Sequence, residues 1–167
     1  MTLVFYITAA IAVLATLLVV TGRHAVHALL YLVVSLFAVA VLFYLMGAPF
    51  AAALEIIIYA GAIMVLFVFV IMMLNLGEQD SEQEQRWLAP TTWIGPAILS
   101  AILLSQWLWV LRQGGGGDIT GEIVGARELG IALFSQYLLA VEMAGLLLLA
   151  ALVGAFHLGR KRREDDE

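Results

Sequence analysis

The apolar positions of this chain fall in long uninterrupted runs separated by short polar stretches. About 20 consecutive apolar residues are enough for a helix to cross the hydrocarbon core of a bilayer. Five runs of that kind can be marked off, at residues 2–21, 28–46, 51–76, 91–111 and 131–157, the last interrupted by Glu142. Gly47-Ala48-Pro49 fits a tight turn between the second and third, because glycine ends helices and proline starts them. The connection over residues 77–89 is acidic and polar, and that over 112–127 holds the flexible run Gly114 to Gly117. The pattern predicts an all-α, polytopic membrane protein: a five-helix transmembrane domain over residues 1–160 and a charged cytoplasmic tail over 161–167. No extramembrane piece is long enough to bury a core of its own. Five is an odd number and no internal repeat is visible, which disfavours a transporter built from two inverted halves.

Composition sharpens the class. Of 167 residues, 63% are hydrophobic and only 13% charged, far from the balance of a soluble domain. There is no cysteine, so disulfides, thiolate zinc sites and cysteine-ligated clusters are excluded. The net charge of −5 comes mainly from two acidic stretches, residues 78–84 and 164–167, which read as solvated polypeptide. Lysine and arginine set the orientation. With the N-terminus outside, Arg23, Arg86, Arg160, Lys161, Arg162 and Arg163 lie inside and only Arg112 and Arg127 outside, so N-out and C-in is expected. The first run lacks a basic leading region and a small-residue cleavage site, and is expected to be a retained helix.

Candidate chemistry is concentrated in EIIIYAGAIMVLFVF, residues 55–69. Glu55 and Tyr59 are four apart, on one helical face, where the phenol could hydrogen-bond the carboxylate. A charged group in hydrocarbon costs about 2.5–3.5 kcal/mol even on insertion scales. Two readings remain for Glu55: a reversible proton carrier, or a side chain at the outer start of its helix that reaches the headgroups. Ala60-Gly61-Ala62 permits close approach of another helix, and its glycine also lowers the cost of a local distortion such as a π-bulge. Glu142 lies midway along the fifth run, too deep for its short side chain to reach water, and an acid at that depth faces a helix bundle or a hydrated path. His24, His27 and His157 read as interfacial residues with no accompanying ligand pattern. Gly114 to Gly117 lacks the lysine of a phosphate loop, and EQDSEQEQ lacks the glycine and alternation of a calcium loop. No catalytic, metal-binding or cofactor-binding residue is expected, and nothing suggests nucleic acid.

The stretch ALEIIIYAGAIMVLFVFVIMMLNL, residues 53–76, resembles the third helix of the J-subunit family of bacterial respiratory NADH:quinone oxidoreductase (complex I), the counterpart of mitochondrial chain 6. HALLYLVVSLFAVAVLF (27–43), WLAPTTWIGPAIL (87–99) and LFSQYLLAVEMAGLLLLAALVGAFHLGR (133–160) resemble its second, fourth and fifth. The resemblance implies a multi-pass subunit of the bacterial inner membrane, in the membrane arm of a proton-translocating enzyme. Its partners would be lipid, the quinone-site subunit, small membrane subunits and antiporter-like subunits. FMN, iron–sulfur clusters, NADH and quinone would sit on other subunits. It also implies a π-bulge over Tyr59 to Phe69, whose rotation opens or blocks a proton path. Tyr59, Gly61, Met64, Val65 and Phe67 would then form the gate, with Glu55 close to the same path; Glu55, Tyr59 and Glu142 are the proton-path candidates that the residues themselves suggest. Two other readings compete: the equivalent subunit of a multi-subunit cation/proton antiporter or membrane-bound hydrogenase, and a purely structural spacer.

Overall fold

In hydrocarbon a backbone must satisfy its own hydrogen bonds, and a helix does so within one segment. The computed structural model describes residues 2–22, 25–74, 90–112 and 123–159, and the described residues are helical apart from short turns. The acidic connection, the Gly114 to Gly117 run, Arg23, His24 and the charged tail lie outside the described residues. The helices are α1 (Thr2–Thr21), α2 (Ala25–Leu45), α3 (Pro49–Leu54), a π-helix (Glu55–Ile63), α4 (Met64–Leu74), α5 (Pro90–Arg112), α6 (Ala126–Phe134) and α7 (Leu138–Gly159). α3, the π-helix and α4 succeed one another without a break and form the third span. Among the described residues, five spans are long and apolar enough to cross a membrane. The fifth starts at Leu138, after a turn at 135–137 that separates it from the short α6.

The chain divides into two units after Val124, and each is described by itself. In the first, α1 packs on α2, α2 packs along all three parts of the third span, and α5 closes on α1 and α2. Small residues make the approach of α1 and α2 close: Ala12, Ala15 and Ala38 are buried together with Ile11, Val34 and Leu103. A second cluster joins Val4, Val41, Leu45 and Val110, flanked by the stacked rings of Tyr44 and Trp107. Polar side chains cross the same interfaces. Thr16 Oγ1 lies 2.8 Å from Ser35 Oγ, and Ser35 donates to the Ala12 carbonyl at 3.3 Å. Thr8, fully buried, donates to the Val4 carbonyl at 2.8 Å and sits 3.0 Å from the Gln106 side-chain amide. Both neighbours, the Val4 carbonyl and Gln106 Oε1, are acceptors, so the single Thr8 proton is shared between them. Gly95 on α5 is covered by the Tyr31 hydroxyl, which fills the place a side chain there would take.

The turn between α2 and the third span is a glycine cap. Gly47 has φ 85°, its N–H bonds the Tyr44 carbonyl at 3.1 Å, and the Ala48 N–H bonds the Phe43 carbonyl at 2.9 Å. This bond pair closes a helix with a left-handed glycine. Pro49, which has no N–H to leave unpaired, opens the next helix. The Gly47 carbonyl accepts from the Val124 N–H at 2.8 Å.

In the second unit, Gly125 caps α6, and the Leu129 N–H bonds its carbonyl at 3.1 Å. Ser135 Oγ donates to the Ile131 carbonyl at 2.6 Å where α6 ends, and no residue of α7 is buried within the unit.

Packing should outweigh hydrogen bonding between α1 and α2. Ala38→Leu overfills a fully buried position and should cost about 1–3 kcal/mol. Thr16→Val loses one interhelical hydrogen bond, about 0.6 kcal/mol on average in membranes. Thermal aggregation midpoints in mild detergent should therefore fall further for Ala38→Leu than for Thr16→Val; the reverse order would refute the ranking.

Candidate functional site

The third span carries the widest departure from regular helix in the described chain. Over EIIIYAGAI, Glu55–Ile63, the backbone is π-helical for nine residues. At its start the Glu55 N–H still bonds the Ala51 and Ala52 carbonyls, and at its end the Met64 N–H reaches back five residues to Tyr59 as well as to Gly61. A ring closed five residues back holds one residue more than an α turn, so the residues beyond it are turned by about 100° relative to an uninterrupted α-helix. The segment starts and ends four to six residues earlier than the Tyr59 to Phe69 block in which the bulge was expected, and overlaps it from Tyr59 to Ile63. Tyr59 and Gly61 lie within it, and Met64, Val65 and Phe67 lie in the α-helix beyond.

Gly61 is fitted to the wide turn. A Cβ added there would meet the Ile56 carbonyl oxygen, five residues back, at 3.2 Å. That is a tight contact with backbone, which can yield only if the ring itself shifts. Burial is just as uneven along the span. Ala52 and Met64, on either side of the π-helix, are buried at 1% and 3% exposure, and no residue between them is buried. Tyr59 is half exposed, and Val65 (67%) and Phe67 (49%) point away from the unit's interior. Ile56 is half-buried and lines a cleft of about 480 Å³ with Phe37 and Val41 of α2 and Ser100, Leu103 and Trp107 of α5. The lining of that cleft is almost wholly apolar.

The candidate site residues thus separate into two places. Glu55, Tyr59, Gly61, Met64, Val65 and Phe67 lie along one span, whereas Glu142 is on α7 in the other unit, exposed within it. Glu55 is half-buried, and the expected Glu55–Tyr59 hydrogen bond is not made; neither side chain has a hydrogen-bond partner among the described residues. His27 lies in α2 and His157 in the last turn of α7. Among the described residues no group of three His, Cys, Asp or Glu side chains could hold a metal ion. The polar contacts that clasp α1 to its neighbours, Thr16–Ser35 and Thr8–Gln106, were not anticipated. Their signal was present in the sequence, since each is a polar residue inside an apolar span, the reasoning that singled out Glu55 and Glu142.

Residues 15–158 match the family described as NADH-ubiquinone/plastoquinone oxidoreductase chain 6. The chain is 56% identical over 159 residues to NADH-quinone oxidoreductase subunit J of Escherichia coli (strain K12), covering 95% of this chain and 86% of that protein. It is 57% identical over 158 residues to the protein of the same name from Pseudomonas aeruginosa, covering 94% and 95% of the two chains. The subunit J of Buchnera aphidicola subsp. Schizaphis graminum is 48% identical over 163 residues, with 98% of this chain and 100% of that one covered. A match of this length and identity, on a chain whose described residues hold five helices long and apolar enough to cross a membrane, places the protein in the chain 6 (subunit J) family of NADH-quinone oxidoreductase.

Proposed function

We propose that this chain is the inner-membrane J subunit of a proton-translocating NADH:quinone oxidoreductase, and that its third span gates a proton path coupled to quinone reduction. The observation that carries the gate is the nine-residue π-helix that begins soon after buried Ala52 and ends at Met64. A π turn is a helix with an alternative pairing close at hand. Each N–H can exchange a carbonyl five residues back for one four back, and because the wide form passes over only about one carbonyl where it returns to α-helix, the two forms are close in energy. Moving between them turns the residues beyond by about 100° for each wide turn lost. Val65 and Phe67 are bulky and apolar. In one rotational state they block water from the path, and in the other they turn out of it.

Tyr59 sits on the segment that rewinds, and Glu55 marks its start, where a carboxyl can take up and release a proton at the edge of the path. Glu142 on the fifth span is the second acid assigned to that path. Protons move over water and over acids of neighbouring subunits, with the N-terminus outside and the C-terminus inside. FMN, iron–sulfur clusters, NADH and quinone are held by other subunits of the enzyme. The partners are the quinone-site subunit, the small membrane subunits and the antiporter-like subunits. The names of the relatives weigh against the antiporter and hydrogenase alternatives, because each is called a subunit of NADH-quinone oxidoreductase.

Three measurements test this reading. Tagged chain extracted in mild detergent should bring down NADH:quinone reductase activity in a large assembly; a large assembly without that activity would reassign the chain to an antiporter or hydrogenase. Gly61→Val should crowd the Ile56 carbonyl and bias the ring, and a bias of about 0.5–2 kcal/mol, typical of coupling residues, should lower the protons pumped per NADH about two- to thirtyfold in an assembled complex. Wild-type pumping in that variant would remove the gate. Glu55→Gln keeps shape and removes the titrating group; it should slow pumping while leaving assembly intact, and an unaltered pump would return Glu55 to the headgroup-reaching reading.

A further inference from the structure

A change of ring size inside a helix must turn one end relative to the other, and which end turns depends on what holds each. The two ends of the third span are held very differently. At the Gly47 end the preceding helix is closed by the glycine cap, Ala52 is buried, and the Ala52 N–H bonds the Ala48 carbonyl at 3.0 Å. The Gly47 carbonyl is also tied by the 2.8 Å bond from the Val124 N–H, which belongs to the segment entering after the fourth span. Two membrane crossings separate Gly47 from Val124, so both lie on the same membrane face whichever way the chain is oriented. At the other end, Met64 is buried, and the residues from Val65 to Val70 are exposed.

We infer that the Val124 N–H to Gly47 bond is a clip that fixes the near end of the third span, so that a change of ring size turns only the half beginning at Met64. This rests on the gating reading and adds to it a stationary end and a positioning segment. The clip acts through backbone atoms. Val124 thus needs no particular side chain, only its N–H, and Gly47 needs its positive φ, which turns its carbonyl out of α2 and leaves it open to a second segment. With the clip broken, rewinding would be shared between both ends, and less of the rotation would reach Val65 and Phe67.

The test is a proline scan read as coupling in the intact complex. Val124→Pro removes the donor, and loss of one backbone hydrogen bond should shift the clip about fivefold toward release. The expected result is fewer protons pumped per NADH, at unchanged NADH oxidation and unchanged amounts of assembled complex. Ile123→Pro, one residue earlier, keeps the Val124 N–H and should keep the wild-type ratio. A short bifunctional thiol cross-link between Met46→Cys and Val124→Cys, in a chain that has no cysteine of its own, should leave pumping intact, because that end does not move. A wild-type ratio in Val124→Pro, equal losses in both proline variants, or loss of pumping on cross-linking would each overturn the clip. If Val124→Pro fails to assemble, the cross-link alone decides. Gly61→Val separates the two ideas: normal pumping there ends the gating reading and the clip with it, whereas uncoupling there with none in Val124→Pro ends only the clip.

Discussion

Everything in this chain depends on the rule that a backbone crossing hydrocarbon has no water to turn to. Each N–H and C=O must find its partner within the protein, and that is why the apolar runs become helices. The rule explains both the regular spans and the exception. The π-helix over Glu55–Ile63 is tolerated in a membrane because a wide ring still pairs nearly all of its groups; what it gives up is compactness and about one carbonyl bond where it returns to α-helix. The same rule dictates how the span begins. The α2 carbonyls are satisfied by the Gly47 cap, and Pro49 brings no unpaired N–H to the turn.

The first unit is held by two kinds of contact of unequal weight. Alanines bring α1 and α2 together closely enough for many small dispersion contacts to accumulate. Thr8, Thr16, Ser35 and Gln106 add pairings that fix depth and rotation, because a hydrogen bond has a place and an angle and a methyl contact has neither. Tyr31 over Gly95 does the same for α2 against α5 by filling a notch. The third span rests against this part through Ala52 and Met64, with the stretch between them partly buried and the residues just beyond Met64 exposed.

Much of this was legible in the sequence. The spans could be read because a membrane-crossing run has one dominant signal, length without charge, and Gly47-Ala48-Pro49 could be read because glycine and proline each have a single strong backbone preference. The wide turn was less accessible. Ala60-Gly61-Ala62 serves close packing and distortion equally well, and only the resemblance to a family with a bulged third helix pointed to the distortion. Its position, starting at Glu55, was not legible, because the register of a π-helix is set by which carbonyl each N–H selects and no residue type marks that choice. The Glu55–Tyr59 pair shows the same limit. A spacing of four describes neighbours on an α-helix, and the two residues lie where the helix is not α. Glu142 was visible as a lone acid, but spacing along a chain says nothing of what surrounds a residue once it is folded.

The wide turn also bears on the thickness of the bilayer. A ring that winds more residues into each turn advances less along the axis per residue. The third span, Pro49–Met73, therefore reaches across a thinner slab of hydrocarbon than 25 residues of plain α-helix would. Under the proposed gate, tightening the rings would lengthen the span and drive the end beyond Met64 toward the headgroups. Mismatch between a helix and its bilayer costs fractions of a kcal/mol per ångström, so under that proposal the lipid itself would be a mechanical load on the balance between the two forms.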